Sequence, residues 1–199
     1  MKKPLKIGLT GGIGAGKSLV LKILEREGVP VLQTDSLGHR LLEEKKFSSS
    51  LFRIFGKSIL DGEGKIDRQK LGEKVFQDPG GREKLNEIMH PEIRKRVAKW
   101  IEGQARRSLP FGLVVVEVPL LFERGFNRAF DGVLCVSAPL ETRRKRLLKR
   151  GWDPVEIRKR ERAQWSQTRK NKKADWIISN RRGTKELKAA VGRWLDGFK

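Results

Sequence analysis

Gly11-Gly12-Ile13-Gly14-Ala15-Gly16-Lys17-Ser18 completes the pattern G-x-x-x-x-G-K-[ST]. An apolar run of strand length, Leu5 to Thr10, precedes it. A helical pattern, Lys17 to Glu27, follows, with Leu19, Val20, Ile23 and Leu24 on one stripe and Gly28 as the stop. Strand, glycine loop, helix is the context that gives the pattern a physical meaning. Glycines accept positive φ and let successive backbone N–H groups approach phosphate oxygens. The helix start adds free N–H groups and the positive end of its dipole. Lys17 is expected to reach the β- and γ-phosphates, and the Ser18 hydroxyl to ligate Mg²⁺. The expected ligand is a nucleoside triphosphate.

Apolar runs recur at Val29 to Gln33, Leu113 to Val118, Gly132 to Ser137 and Trp176 to Ile178, with helical stretches between them. This alternation predicts an α/β fold, a parallel sheet with helices on both faces and strands buried on both sides. Two intervals break the rhythm. Residues 35–109 contain no convincing strand and read as helices, with turns at Asp61-Gly62 and Asp78-Pro79-Gly80: a helical insertion. One stripe there (Ile88, Ile93, Val97, Trp100, Ile101) runs on past Pro91. Arg143 to Lys173 is so charged that it predicts a solvated, mobile projection. Leu187, Ala190, Val191, Trp194 and Leu195 predict a last helix with Thr184 as N-cap. The whole, residues 1–199, reads as one domain, with a flap over 139–173.

Lys and Arg number 45 against 24 Asp and Glu, a net charge of +21. Such a surface attracts polyanions, either nucleic acid or phosphate-rich small molecules. The clustering of Val, Leu, Ile and Phe argues against disorder. The longest apolar stretch, Phe111 to Leu121, is too short for a bilayer and contains Glu117. Lys2, Lys3 and Lys6 resemble the start of a secretory leader, but Thr10 to Gly16 is polar where a leader is apolar. The lone Cys135, in an apolar strand, predicts a buried thiol and a reducing, cytoplasmic location. A guanine-reading Asn-Lys-x-Asp is missing: Asn171-Lys172-Lys173-Ala174-Asp175 is one residue too long and precedes a strand. Five short strands make too small a core for a helicase, so a small phosphotransferase remains.

Asp35 follows the second strand, on the sheet edge that carries the phosphate loop. It is either a general base for an acceptor hydroxyl or the N-cap of a helix over Ser36 to Leu42. Glu117 ends the third strand, as a Mg²⁺ partner or as a buried acid paired with Lys or Arg. Arg143, Arg146 and Arg150, at i, i+3 and i+7 after Pro139, share one helix face, followed by Arg158 and Arg160. They are suited to stabilising a phosphoryl group in flight, or they form a solvated or RNA-binding face.

Taken together, these segments resemble the dephospho-coenzyme A kinase family over nearly the whole chain. Ile7-Gly8-Leu9-Thr10-Gly11-Gly12-Ile13-Gly14 is narrower than a generic phosphate loop. Asp35 with Arg40, His90-Pro91-Glu92-Ile93-Arg94, and above all Val118-Pro119-Leu120-Leu121-Phe122-Glu123 match the family's elements. So do Arg146-Leu147 with Arg150, Arg160 with Gln164 and Lys170, and Ala174-Asp175 with Ile178 and Asn180. The loop Asn180 to Thr184 is one residue longer than the family pattern. The resemblance implies a five-stranded P-loop kinase fold whose insertion binds the acceptor and whose basic flap is a lid. It implies phosphorylation by ATP of the ribose 3′-hydroxyl of dephospho-coenzyme A, the last step of coenzyme A biosynthesis. It also implies Asp35, Lys17, Arg146 and Arg150 as catalytic residues. ATP would be bound by Gly12, Ile13, Gly14, Ala15, Gly16, Lys17, Ser18, Leu19 and Asn180, the acceptor by Asp35, Arg40, His90, Pro119, Leu120, Leu121 and Glu123, and Mg²⁺ by Ser18 and Glu117. Neither a membrane nor a specific nucleic acid is an expected partner. The alternatives are another P-loop small-molecule or nucleotide kinase, and a nucleic-acid-binding ATPase.

Overall fold

The computed structural model describes residues 3–78 and 80–199, without the side chain of Phe76. Lys2 and Pro79, the centre of the expected Asp78–Gly80 turn, lie outside the described residues. Among the described residues, five strands form one parallel sheet in the order β2-β3-β1-β4-β5. They are β1 (Leu5–Thr10), β2 (Val31–Gln33), β3 (Leu113–Glu117), β4 (Gly132–Ser137) and β5 (Trp176–Ser179). The helices are α1 (Lys17–Arg26), α2 (Thr34–Glu43), α3 (Lys45–Phe55), α4 (Arg68–Gln77), α5 (Gly81–Gln104), α6 (Leu140–Leu148), α7 (Pro154–Arg162), α8 (Gln167–Lys173) and α9 (Thr184–Asp196). The chain divides into two compact units, one of residues up to Gln33 with Ile101–Lys199, the other Thr34–Trp100.

In the first unit, β1 lies between β3 and β4. Leu9 is level with Glu117 and with Leu134, and Gln33 is level with Glu117, so the carboxyl ends of β1, β2 and β3 share one edge. β3 is buried along its whole length, as its Leu-Val-Val-Val run requires. Full burial on both faces does not extend to the edge strands: Ile177 is 52% exposed, and Gln33 is exposed. An edge strand has only one neighbour, and here its outer side meets water. β2 is also shorter than the apolar run that announces it; Val29 is buried, but outside the strand. The core packs Ile7 and Leu9 of β1 and Leu134 and Val136 of β4 against Val20 and Leu24 of α1 and Leu187 and Val191 of α9. Helix α1 stops at Gly28 (φ +83°), where Val29 N–H bonds to the Leu24 carbonyl and Gly28 N–H to Glu25. Trp176, Trp194 and Phe198 meet edge to face, with centroids 5.0–6.0 Å apart. Gly132 lets the Trp176 ring in, since a Cβ there would lie 2.3 Å from it. Gly183, at φ +110°, takes the N-cap position of α9, and Thr184 is the first helical residue, so the helix starts one residue earlier than the sequence predicts.

The second unit is helical. Leu51, Phe55, Ile59 and Leu71 form one apolar cluster, and Leu41, Phe47 and Met89 another. Pro91 sits inside α5, which continues through it. Arg96 grips Glu44 with two 2.6 Å hydrogen bonds, holding the Glu44 carboxyl below its usual range. No helix among the described residues is long and apolar enough to cross a membrane.

Candidate active site

The glycine pattern becomes a loop because three of its residues adopt backbone angles that side chains resist: Gly11 at φ +149°, Gly14 at +76° and Gly16 at +99°. Space is short as well, for a Cβ on Gly11 would lie 2.3 Å from the Val136 carbonyl oxygen. Lys17, the first residue of α1, donates from Nζ to the Gly11 carbonyl at 3.2 Å and lies 3.9 Å from Glu117 Oε1. Glu117 is buried at 8% exposure, so the cation beside it offsets part of the cost of keeping a carboxylate there. Ser18 is exposed at the helix start.

The loop is held by residues far away in sequence. Asn180, at the end of β5 and 3% exposed, donates from Nδ2 to the Ala15 carbonyl at 2.8 Å. Arg146 of α6 donates to the Asn180 carbonyl at 3.0 Å, to its Oδ1 at 3.1 Å and to the Ala15 carbonyl at 3.4 Å. Burial, then the nearby charge of Arg150, pushes the Arg146 guanidinium below its ordinary value. Gly12 N–H donates to Gln167 Oε1 at 3.1 Å; Gln167 in turn donates to Asn171 Oδ1 at 2.9 Å. Gln167 and Asn171 stand one turn apart on α8, and nothing in their spacing ties them to the glycine loop.

The basic segment is no solvated projection. Arg143 is 7% exposed and Lys170 is fully buried. Charge alone misleads here, because the counter-ions stand on other elements, one within the segment and one outside it. Glu161 of α7 takes Arg144 at 2.8 Å, and Glu123 takes Lys170 at 3.0 Å. Leu147 and Ile157 complete the anchoring from their apolar sides. Nor do the three arginines share one helix face, since α6 ends at Leu148 and Arg150 lies exposed in the turn beyond it.

The turn after β3 is a second fixed point. Val118 N–H bonds to the Leu9 carbonyl, and the Pro119 carbonyl accepts from Thr10 Oγ1 and Lys170 Nζ. Leu121 is buried, Leu120 partly so. Glu123 Oε1 also accepts from Trp165 N–H at 2.7 Å, and Trp165 stacks on Phe122 with 5.8 Å between centroids. Beside this stack opens a cavity of about 500 Å³, lined in part by Arg124, Arg128 and Lys173. Replacing Lys170 by methionine is expected to cost about 3 kcal/mol, because it strands the Glu123 carboxylate. Thermal unfolding checks this: a midpoint lowered by roughly 6–10 °C is expected, and an unchanged midpoint would refute it.

Cys135 lies beneath the loop, fully buried, and its thiol is raised from an ordinary 9.0 to about 11. Burial is the main cause; a hydrogen bond from Gln167 and the charges of Lys170 and Lys17 pull the other way. A thiol raised on folding favours the folded state while it stays protonated, an advantage present below pH 9 and lost as pH climbs towards 11. Native protein at pH 8 should therefore resist iodoacetamide and be alkylated only after unfolding, as mass spectrometry would show.

The predicted site residues divide between the two units. Gly12 to Leu19, Glu117, Pro119 to Glu123, Arg146, Arg150 and Asn180 belong to the first; Asp35, Arg40 and His90 belong to the second. Helix α2 begins at Thr34, so Asp35 is an exposed residue of its first turn, where a carboxylate suits the helix dipole, and not its N-cap. Arg40 is exposed in the last turn, and His90 is half-buried within α5, just before Pro91.

A parallel sheet with a glycine loop between β1 and α1, a lysine and a serine opening α1, and a carboxylate at the end of β3 defines a P-loop kinase. The family model described as dephospho-CoA kinase matches residues 5–186. A dephospho-CoA kinase of Thermus thermophilus is 39% identical over 191 residues, covering 96% of this chain and 90% of its own. The solved structure of TT1252 from Thermus thermophilus superposes with TM-score 0.87 at 37% identity over the full length of both chains. A dephospho-CoA kinase from Campylobacter jejuni gives 0.67 at 25% identity, covering 98% of this chain and 97% of the other. This chain belongs to the dephospho-CoA kinase family.

Proposed function

We propose that the chain transfers the γ-phosphoryl group of ATP to the ribose 3′-hydroxyl of dephospho-coenzyme A, giving ADP and coenzyme A, the closing step of coenzyme A biosynthesis. The observation that carries this reading is the Val118-to-Glu123 turn, tied by Thr10 to the strand that feeds the phosphate loop. In this reading the amides of Gly14 to Ser18 and the Lys17 ammonium hold the β- and γ-phosphates. Asp35 takes the proton from the 3′-hydroxyl as that oxygen attacks phosphorus, and the bond from phosphorus to the ADP oxygen breaks. Arg146, braced by Asn180, and exposed Arg150 face the charge that spreads over the transferring group. The acceptor is bound by Arg40, His90 and the Pro119–Leu121 turn. The Arg124, Arg128 and Lys173 cavity adds positive charge suited to the acceptor's diphosphate. Glu123 is committed to Lys170 and Trp165 and acts by fixing that turn. Residues 35–109 act as the acceptor-binding insertion, and 139–173 as the lid, within one kinase of residues 1–199.

Mg²⁺ requires hard oxygen donors and commonly takes one or two from protein, the rest from phosphates and water. The exposed Ser18 hydroxyl and the Glu117 carboxylate fit that pattern; they would hold the ion, which neutralises triphosphate charge when bound. A net charge of +21 suits two phosphate-rich substrates. The lone buried thiol agrees with a reducing, cytoplasmic location.

The deciding experiment supplies Mg·ATP and dephospho-coenzyme A to the purified protein and locates the new phosphate on the product. Label at the ribose 3′ position is the expected result. Transfer to a nucleoside monophosphate instead, or ATP hydrolysis stimulated by RNA without transfer, would overturn the reading.

A further inference from the structure

Arg143 occupies an unusual position among the cations of the chain. Its guanidinium is nearly out of water, and it bonds to a carbonyl of the phosphate loop. NH1 donates to the Ile13 carbonyl at 3.1 Å. The same nitrogen lies 3.0 Å from where a Gly12 Cβ would stand, and the Arg143 carbonyl oxygen lies 2.8 Å from the corresponding point on Gly14. Loop residues 12–14 are thus moulded on one residue of α6. Its counter-charge comes from α7: Glu161 Oε1 lies 3.7 Å from NH1, while Glu161 Oε2 is engaged by Arg144. Both Arg143 Nε and Glu161 Oε1 are buried without a hydrogen-bond partner. Two buried, incompletely bonded charges cost stability unless replaced or paired, so packing alone does not account for them.

We propose that Arg143, with Glu161 as its counter-ion, is a positioning residue for the triphosphate. It keeps the Ile13 carbonyl turned towards α6, so that the amides of the following residues stay directed at the phosphates. Without that donor, the carbonyl is free to rotate towards the ligand, where its negative end opposes phosphate oxygens. Glu161 holds the guanidinium back from the phosphates themselves. Position 161 therefore acts on ATP only through Arg143.

The test reads Mg·ATP binding by calorimetry, which does not depend on which acceptor the enzyme uses; its outcome is thus separable from that of the proposed function. Arg143→Ala should weaken ATP binding about tenfold. In turnover assays KM for ATP should rise alike, with kcat within about threefold and KM for the acceptor unchanged. Arg143→Gln, which keeps an amide donor for the Ile13 carbonyl but no charge, should recover most of the lost affinity. Glu161→Gln should weaken ATP binding a few-fold in the parent and change it little in the Arg143→Gln background. ATP affinity within twofold of the parent in Arg143→Ala would overturn the proposal. So would equal losses for both substrates without recovery in Arg143→Gln, the pattern of a merely structural residue. Effects of Glu161→Gln that are the same in both backgrounds would also overturn it.

Discussion

Lys17→Ala is expected to lower kcat about a thousandfold. The ammonium is already poised, bonded to the Gly11 carbonyl at 3.2 Å and close to the buried Glu117 carboxylate. In the proposed reaction it would need only to turn towards the phosphates, with little reorganisation as charge develops on the γ-phosphoryl oxygens. A thousandfold corresponds to about 4 kcal/mol of lost transition-state stabilisation, reasonable for a full charge in a site sheltered from water. ADP release measured under saturating substrates gives the number. A kcat within tenfold of the parent would remove Lys17 from the chemistry.

Asp35→Asn is expected to reduce kcat by a similar amount while leaving ATP affinity almost unchanged. Asparagine matches the carboxylate in shape but cannot accept the hydroxyl proton, and a positioned general base contributes about 10²–10⁴ in rate. The side chain is exposed on the first turn of α2 and caps nothing, so the fold should tolerate the change. Equal unfolding midpoints for the two proteins would confirm that stability is not what changed. Near-normal kcat would leave Asp35 as a carboxylate that merely suits the helix dipole.

The phosphate loop was legible in the sequence because its chemistry is local. Glycine spacing, the lysine and the serine lie within eight residues, and the flanking periodicities are those of a strand and a helix. β1, β3 and β4 could be read for the same reason, each being a short, continuous apolar run. What could not be read depends on partners distant along the chain. Arg143 and Lys170 look like surface charge until α7 supplies Glu161 and the turn after β3 supplies Glu123. Gln167 carries no pattern that ties it to Gly12, since a single amide gains its meaning only from where α8 lies. The ends of helices were read least well. Thr184 looked like a cap by residue type, but Gly183, free to adopt φ +110°, took that position. By spacing Arg150 continues a helical face, but α6 stops two residues before it.

The hydrogen bond from Asn180 to the Ala15 carbonyl links positions 165 residues apart. During synthesis on the ribosome, the glycine segment leaves the exit tunnel early, long before the residue that braces it has been translated. The nascent chain thus carries the whole nucleotide-binding motif without being able to fix its shape. Bracing of the loop by Asn180 waits until β5 has been made and has docked, so the shape of the glycine segment depends on the folding of the whole sheet.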